Sequence, residues 1–282
     1  MHPKDSEIEM KSKVRMDLHI HTSASPDSLG DIITRIKRAK KADLDIIAIT
    51  DHNTVNQKIR GKRIIEKDGV KLLVGEEIST DKGEVIGLFL KKPIKQGKLE
   101  YVLDEIKSQE AIAVLPHPFK RSRIVHYPEF LKDIDLIEVW NGRTSFEENY
   151  KALIFANLNE KYISCGSDAH FPFEVGRSIL EITDDERTVH SIETANDLSE
   201  LVKSAQKFII KGISKNCFLL ESLSQFVKFI RNREKIALKN SILFTIFGLV
   251  GISDCKDVRI NIEICKENYT KKIYDIIEVK SI

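Results

Sequence analysis

Over the first two thirds of the chain, apolar residues fall alternately into strand-like and helix-like spacing. Residues 14–19 alternate, so Asp17, His19 and His21 share one strand face, while Met16, Leu18 and Ile20 share the other. After the turn Ser25-Pro26-Asp27-Ser28, the positions Leu29, Ile32, Ile33, Ile36 and Ala39 follow helical spacing. Residues 45–50 form a second, fully apolar strand ending in Asp51-His52-Asn53. The pattern then predicts a helix over about 55–67, a strand over 70–74 ending at Gly75-Glu76-Glu77-Ile78, a strand over 84–90 and a helix over 99–109. Further strands are predicted at 111–115, running into Pro116-His117-Pro118, and at 134–139, running into Trp140-Asn141-Gly142-Arg143. A helix over 146–159 precedes a strand over 162–165 that ends in Gly166-Ser167-Asp168-Ala169-His170. Beyond about residue 187, 196–210 reads as a capped amphipathic helix and 219–249 as mostly helical and basic, while 258–264 alternates like a strand with no evident partner.

Alternating apolar strands and amphipathic helices predict parallel β/α architecture, in which the C-terminal ends of the strands hold the active site. Five of the eight histidines fall at such ends; His2, His126 and His190 do not, and no role is assigned to them.

Composition narrows the classes. With 282 residues, 41% hydrophobic and 31% charged, the chain reads as an ordinary globular protein. Its 45 basic residues nearly cancel 43 acidic ones, and a net charge of +2 makes no global case for a nucleic-acid or membrane binder. The four cysteines form no C-x-x-C pair, which argues against a thiolate zinc site or a disulfide framework, and they are expected to be reduced and buried. The charged N-terminus lacks the apolar core of a secretory signal. The apolar run 241–252 is too short to span a bilayer and is expected to be a buried helix. A cytoplasmic location is the expectation.

Taken singly, the polar strand ends are ambiguous. His19 and His21 can grip one ion or be ordinary hydrogen-bonded residues, and Asp17 can orient an imidazole or simply start a strand. Asp51 or Asn53 can cap a helix, and His117, held between two prolines in an extended segment, can be a turn residue. Convergence changes this. Four strand ends supply His, Asp or Glu without any cysteine, a donor set suited to manganese, iron or zinc and large enough for two or three ions.

In order and spacing, DLHIHT, PDS, ITDHN, GEEIS, HPF and GSDAH resemble the PHP family, the polymerase and histidinol phosphatase superfamily of metal-dependent phosphoesterases, over residues 14–183. The resemblance implies an α/β fold, a distorted (β/α)7 TIM-like barrel. It is expected over residues 13–212, with a mainly α-helical C-terminal extension over 213–282. It implies up to three divalent ions. His19, His21 and Asp168 match one site, Asp27, His52 and His170 a second, and His117 the remaining one, with Glu77 bridging and Glu76 unassigned. Fuller members carry another histidine between the glutamate and the H-P pair; residues 78–116 contain none, so the third site is expected to be weakly held or to use Glu138 or water. Asp17, Asp51 and Glu138 are expected behind the ligands.

Clustered divalent ions neutralise a phosphoryl group and activate a bridging water. The predicted activity is therefore hydrolysis of a phosphate ester by a metal-bridged hydroxide, with Asp168 and His170 in the catalytic set. Arg143 and Arg177 are expected to bind the phosphate, with Lys120, Arg121 and Arg123 close by in sequence. The expected substrate is a small phosphomonoester or nucleotide. One alternative is a nuclease acting on DNA or RNA ends, served by the basic stretch 228–239; another is a non-catalytic nucleic-acid-binding subunit that retains the barrel. No membrane partner is expected, and the oligomeric state is left open.

Overall fold

A computed structural model describes residues 12–120, 122–184, 191–214, 217–250 and 258–265. Arg121, His2 and His190 lie outside them. Along the chain run β1 (Ser12–Ile20), α1 (Ile32–Lys41), β2 (Ile46–Ile49), β3 (Ile64–Lys67), β4 (Val70–Thr80), β5 (Gly83–Leu88), α2 (Leu99–Ser108), β6 (Ile112–Leu115), β7 (Leu136–Asn141), α3 (Phe146–Leu158) and β8 (Tyr162–Gly166). They are followed by β9 (Ser178–Asp184), α4 (Ala195–Ser204), β10 (Lys207–Ser214), α5 (Cys217–Asn232), α6 (Lys235–Val250) and β11 (Val258–Cys265).

One mixed sheet carries the site, in the order β11-β10-β9-β1-β2-β4-β5-β6-β7-β8. The pairs β1–β2, β2–β4, β6–β7 and β7–β8 are parallel, as apolar strands alternating with helices predict. β4–β5–β6 is antiparallel, because the turn at Asp81-Lys82-Gly83 is too short for a crossover. The expected (β/α)7 repeat is thus replaced by a curled mixed sheet. Its first and eighth strands meet at their ends through Asp168 N donating to His19 O (2.8 Å) and His21 N donating to Ala169 O (3.0 Å). Gly166 makes this approach possible, since a Cβ there would lie 2.2 Å from His19 Cβ and 2.5 Å from Glu138 Oε1. The core below is continuous: Ile46, Ile47, Ala48 and Ile49 of β2 are fully buried, each isoleucine contributing about 1.5–3 kcal/mol by burial.

Several predicted elements differ, beginning with the strand expected over 70–74, which runs on to Thr80 and so contains Glu77. Residues 55–67 are not a helix: Val55 and Ile59 are buried, Gly61 turns at φ +83°, and Ile64 and Ile65 join β3 antiparallel to β4. Paired β-branched residues beside an open strand favour pairing over a helical turn. The helix begun at 196 stops at Ser204, and 207–214 becomes β10, with Phe208 and Ile210 inward and Gly212 pressed against Trp140. β9 and β10 then give the strand at 258–264 its partner, for β11 pairs antiparallel with β10. The boundary expected at 212/213 falls inside β10, so the sheet runs across it. The helix α6 exists, but Ile242, Leu243 and Ile246 are about half exposed rather than buried. Among the described residues no helix is long and apolar enough to cross a membrane. Cys165 and Cys217 are buried, and Cys217 Sγ donates to Thr144 O (3.7 Å); Cys255 lies outside the described residues.

Candidate metal centre

Each candidate ligand reaches the rim of the sheet by a local device. Alternation along β1 turns His19 and His21 inward. The buried guanidinium of Arg35 holds the strand end by donating to the carbonyls of His21 (2.8 Å) and His170 (2.9 Å). Asp51 accepts from Thr22 N (2.6 Å), Thr22 Oγ1 (2.6 Å) and Ser25 Oγ (2.7 Å), fixing the loop that leads to Asp27; Ser25 Oγ also lies 3.2 Å from His21 Nδ1. A parallel bridge sets His52 beside Glu77 of β4. His117 and Asp168 occupy positive φ, +27° and +54°, conformations costing about 1–3 kcal/mol each for residues with a Cβ. The extended segment expected around His117 is therefore a left-handed corner, held by His117 N donating to Glu138 Oε2 (2.8 Å).

The side chains converge on Glu77. Its Oε2 lies 2.9 Å from His52 Nδ1, 3.4 Å from His21 Nε2 and 3.5 Å from His19 Nε2, and its Oε1 lies 2.9 Å from His117 Nε2. Asp168 Oδ1 is 3.2 Å from His21 Nε2 and 3.6 Å from His19 Nε2, and those two nitrogens face each other at 3.1 Å. Asp27 spans His52 Nε2 and His170 Nε2, both at 3.6 Å.

These groups fit divalent ions. Glu77 Oε2 and Asp27 Oδ1 are buried without a hydrogen-bond donor, an arrangement that folding does not leave uncompensated. Two imidazole nitrogens facing at 3.1 Å need a proton or a cation between them. Burial alone would push the carboxyl groups up, yet the imidazoles of His19 and His52 hold Glu77 well below the ordinary range, and His19 does the same to Asp168. Burial pulls His19 and His52 down, but Glu138 and Glu77 outweigh it for His19, and Glu77 and Asp27 lift His52 to about 10. His21 is driven well below its ordinary value by burial and by His52 and His170. Protons and metal compete for the same lone pairs.

Two of the supporting carboxylates behave differently from one another. Glu138 stands behind His19, 3.0 Å from Nδ1, and directs Nε2 at Glu77, the arrangement that fixes a ligand's tautomer. Asp17 touches no imidazole ring. It accepts from Ser167 N (2.8 Å) and Gly176 N (2.9 Å) and so pins the loop bearing Asp168, with burial pushing its carboxyl up to about 6. The orienting role expected of Asp17 therefore belongs to Glu138.

The family model of the PHP domain matches residues 17–174, and that of the PHP-associated region matches 146–205. The chain belongs to the PHP domain family. An uncharacterized protein of Methanocaldococcus jannaschii is 36% identical over 141 residues, covering 46% of this chain and 82% of its own. Among solved structures, the fold resembles a two-domain protein of Bacteroides vulgatus containing a predicted PHP-like metal-dependent phosphoesterase (TM-score 0.52, 18% identity, 71% of this chain and 76% of that one). It also resembles a lesion-specific endonuclease of Pyrococcus furiosus (TM-score 0.52, 16% identity, 70% and 58%).

In this PHP domain the phosphate-binding arginines are corrected. Arg143 is buried and clamps Glu174, with Nε to Oε1 at 2.8 Å and Nη2 to Oε2 at 3.0 Å, while Nη1 donates to Ser224 Oγ (2.9 Å). Arg177 leans on the same carboxylate at 3.9 Å. Neither lines the pocket over the ligands, where Lys120 is the cation among the described residues. Arg123 donates to Asp81 O, away from the site.

One further residue, absent from the sequence-derived candidates, belongs to the site. Glu84 lines the pocket with Oε2 3.8 Å from His117 Nε2, and it groups with His52 and Glu77 as a set of donor atoms within 4.8 Å of one another. It occupies the region in which the family's additional histidine is missing. Register could have found it: Glu77 pairs with Ile86 across the hairpin, and Glu84, two residues from Ile86, shares its face.

Glu76 points to the other face of β4, its Oε2 accepting from Ile94 N (2.8 Å) and its Oε1 buried without a partner. Burial pushes its carboxyl up to about 7 from 4.5. The folded chain thus prefers the protonated group: that stabilisation is complete below pH 4.5 and is lost as pH rises through about 7. Glu76→Gln is expected to gain roughly 2–3 kcal/mol over the wild type at pH 8 relative to pH 5, measured by thermal melts. Identical pH dependence in the two proteins would contradict this.

Proposed function

We propose that the protein is a metal-dependent phosphoesterase acting on a small phosphomonoester or nucleotide. The observation that carries this reading is the buried, unpartnered Glu77 Oε2, ringed by nitrogens of His19, His21 and His52. His19, His21, Glu77 and Asp168 would hold one ion, and Asp27, His52 and His170 a second beside Glu77. His117, Glu77 and Glu84 would hold a third. When bound, manganese, iron or zinc supplies Lewis acidity and an activated water.

The chain's own residues do the positioning. Glu138 keeps the His19 proton on Nδ1, and the Asp168 carbonyl, 2.8 Å from His170 Nδ1, does the same for His170. Both Nε2 lone pairs are thereby presented to the pocket. The pocket over the ligands is open to solvent, and Glu221 and Gln225 of α5 complete its lining. The nuclease alternative shares the fold of the Pyrococcus furiosus endonuclease. Two of the five basic residues in the stretch that supported it have partners within the fold: Arg231 donates to Ser23 O and Ser25 O, and Lys228 pairs with Glu234. The complete donor set speaks against a non-catalytic subunit.

The test is elemental analysis together with a hydrolysis panel of nucleotides, sugar phosphates, short oligonucleotides and p-nitrophenyl phosphate. Chelation is expected to abolish turnover and to lower the melting temperature by several degrees, with manganese restoring both. A protein that binds no manganese, iron or zinc and hydrolyses nothing on the panel is not this enzyme.

A further inference from the structure

Helix α5 is built into the metal centre rather than appended to it. Arg143 donates to Ser224 Oγ (2.9 Å) and Leu220 O (3.4 Å) on α5 while clamping Glu174, whose Oε2 accepts from His170 N (3.0 Å). Near the far end of the helix, Arg231 donates to Ser25 O (3.0 Å) in the loop that leads to Asp27. Between these anchors, Glu221 Oε1 takes Lys120 Nζ at 2.7 Å, and the same Nζ lies 3.8 Å from Asp168 Oδ2. Both side chains are largely buried, at 14% and 13% exposure, and both line the pocket.

Lys120 follows His117 by three residues, so the corner that delivers a ligand also delivers the ammonium. Unopposed, an ammonium at the mouth would attract any additional anionic group beside the scissile phosphate. Held by Glu221, its charge is offset, and the carboxylate itself faces whatever extends outward from the phosphate. We propose that Glu221 is a specificity-determining residue that biases the site against substrates carrying a second negative charge next to the phosphate. Esters of neutral alcohols are then the preferred class, and diphosphates, carboxylate-bearing phosphates and polynucleotide ends are disfavoured. This rests on the phosphoesterase reading.

The test compares two phosphonates, methylphosphonate and phosphonoacetate, which differ by a carboxylate in place of a hydrogen and cannot be hydrolysed as phosphate esters. Their dissociation constants are measured by calorimetry on the manganese-loaded full chain, with metal content determined alongside. The wild type is expected to favour methylphosphonate. In Glu221→Gln, which preserves size and a hydrogen bond to Lys120, the ratio of the two constants is expected to move about tenfold toward phosphonoacetate, less at high salt. In Lys120→Gln/Glu221→Gln that gain is expected to disappear, because the freed ammonium is its source. An unchanged ratio in Glu221→Gln at wild-type metal content overturns the specificity role while leaving the phosphoesterase reading standing. Failure of the metal-loaded wild type to bind either phosphonate, with no turnover on the hydrolysis panel, overturns both.

Discussion

Glu77→Gln is expected to lower kcat/KM for a phosphomonoester by about 10³-fold, equivalent to roughly 4 kcal/mol of transition-state stabilisation, and to remove at least one equivalent of bound metal. The size of the effect follows from position. Both oxygens of Glu77 are committed, Oε2 toward His19, His21 and His52 and Oε1 toward His117, so every ion the cluster could hold has this carboxylate as a neighbour. Glutamine keeps the volume but replaces one oxygen with an amide nitrogen, which has no lone pair for a metal and places protons against the imidazoles. Steady-state kinetics and elemental analysis on the same preparation give the answer. A variant with full metal content and turnover within a factor of a few of wild type would remove Glu77 from the centre of the site.

Arg143→Met is expected to cost about 3–5 kcal/mol, the penalty for leaving a buried carboxylate without its partner, and to lower the melting temperature by roughly 10 °C. Glu174 is fully buried, and its Oε2 accepts from His170 N and Phe171 N as well as from Arg143. Burial would lower the guanidinium's pKa, yet the facing carboxylate holds it above its ordinary value, so the guanidinium keeps its charge in this buried site. The same arginine ties α5 to the loop carrying His170, so metal affinity is expected to fall along with stability. Adding Glu174→Gln to Arg143→Met should recover part of the loss, because it removes the orphaned charge while retaining an acceptor for His170 N. Chemical denaturation of the three proteins measures this. A double variant no more stable than Arg143→Met would mean that the loss lies in packing rather than in charge.

The two variants divide the site into what binds and what holds. His19, His21, Asp27, His52, Glu77, His117, Asp168 and His170 face one another across the pocket. Asp17, Asp51, Glu138, Arg35 and Arg143 fix the strand ends and loops that present them. Every one of these supporting groups is buried. The precision of the cluster is therefore paid for in polar burial, which is tolerable because nearly every such atom has a partner.

The sequence by itself determined eight candidate ligands, Glu84 not among them, and the strands that carry them. An imidazole or carboxylate directly after an apolar strand is a local feature, and alternation along β1 decides which side chains share a face before any partner is known. The ends of β1, β2, β6 and β8 were legible for that reason, whereas Glu77 lies within β4, which runs on to Thr80. Tertiary structure alone decided which strand pairs with which, and in what direction. Residues 55–67 and 207–214 carry spacing compatible with helix or strand, and the open edges of β4 and β9 settled them as strands. Arg143 and Glu84 exchanged expected importance for the same reason. A charge in sequence has no partner until the chain closes, and closure gave Arg143 a buried carboxylate and brought Glu84 across a hairpin to Glu77. Candidate ligands are legible as residue types along and after single strands, whereas pairing, burial and the lining of the pocket depend on distances between residues far apart in the chain.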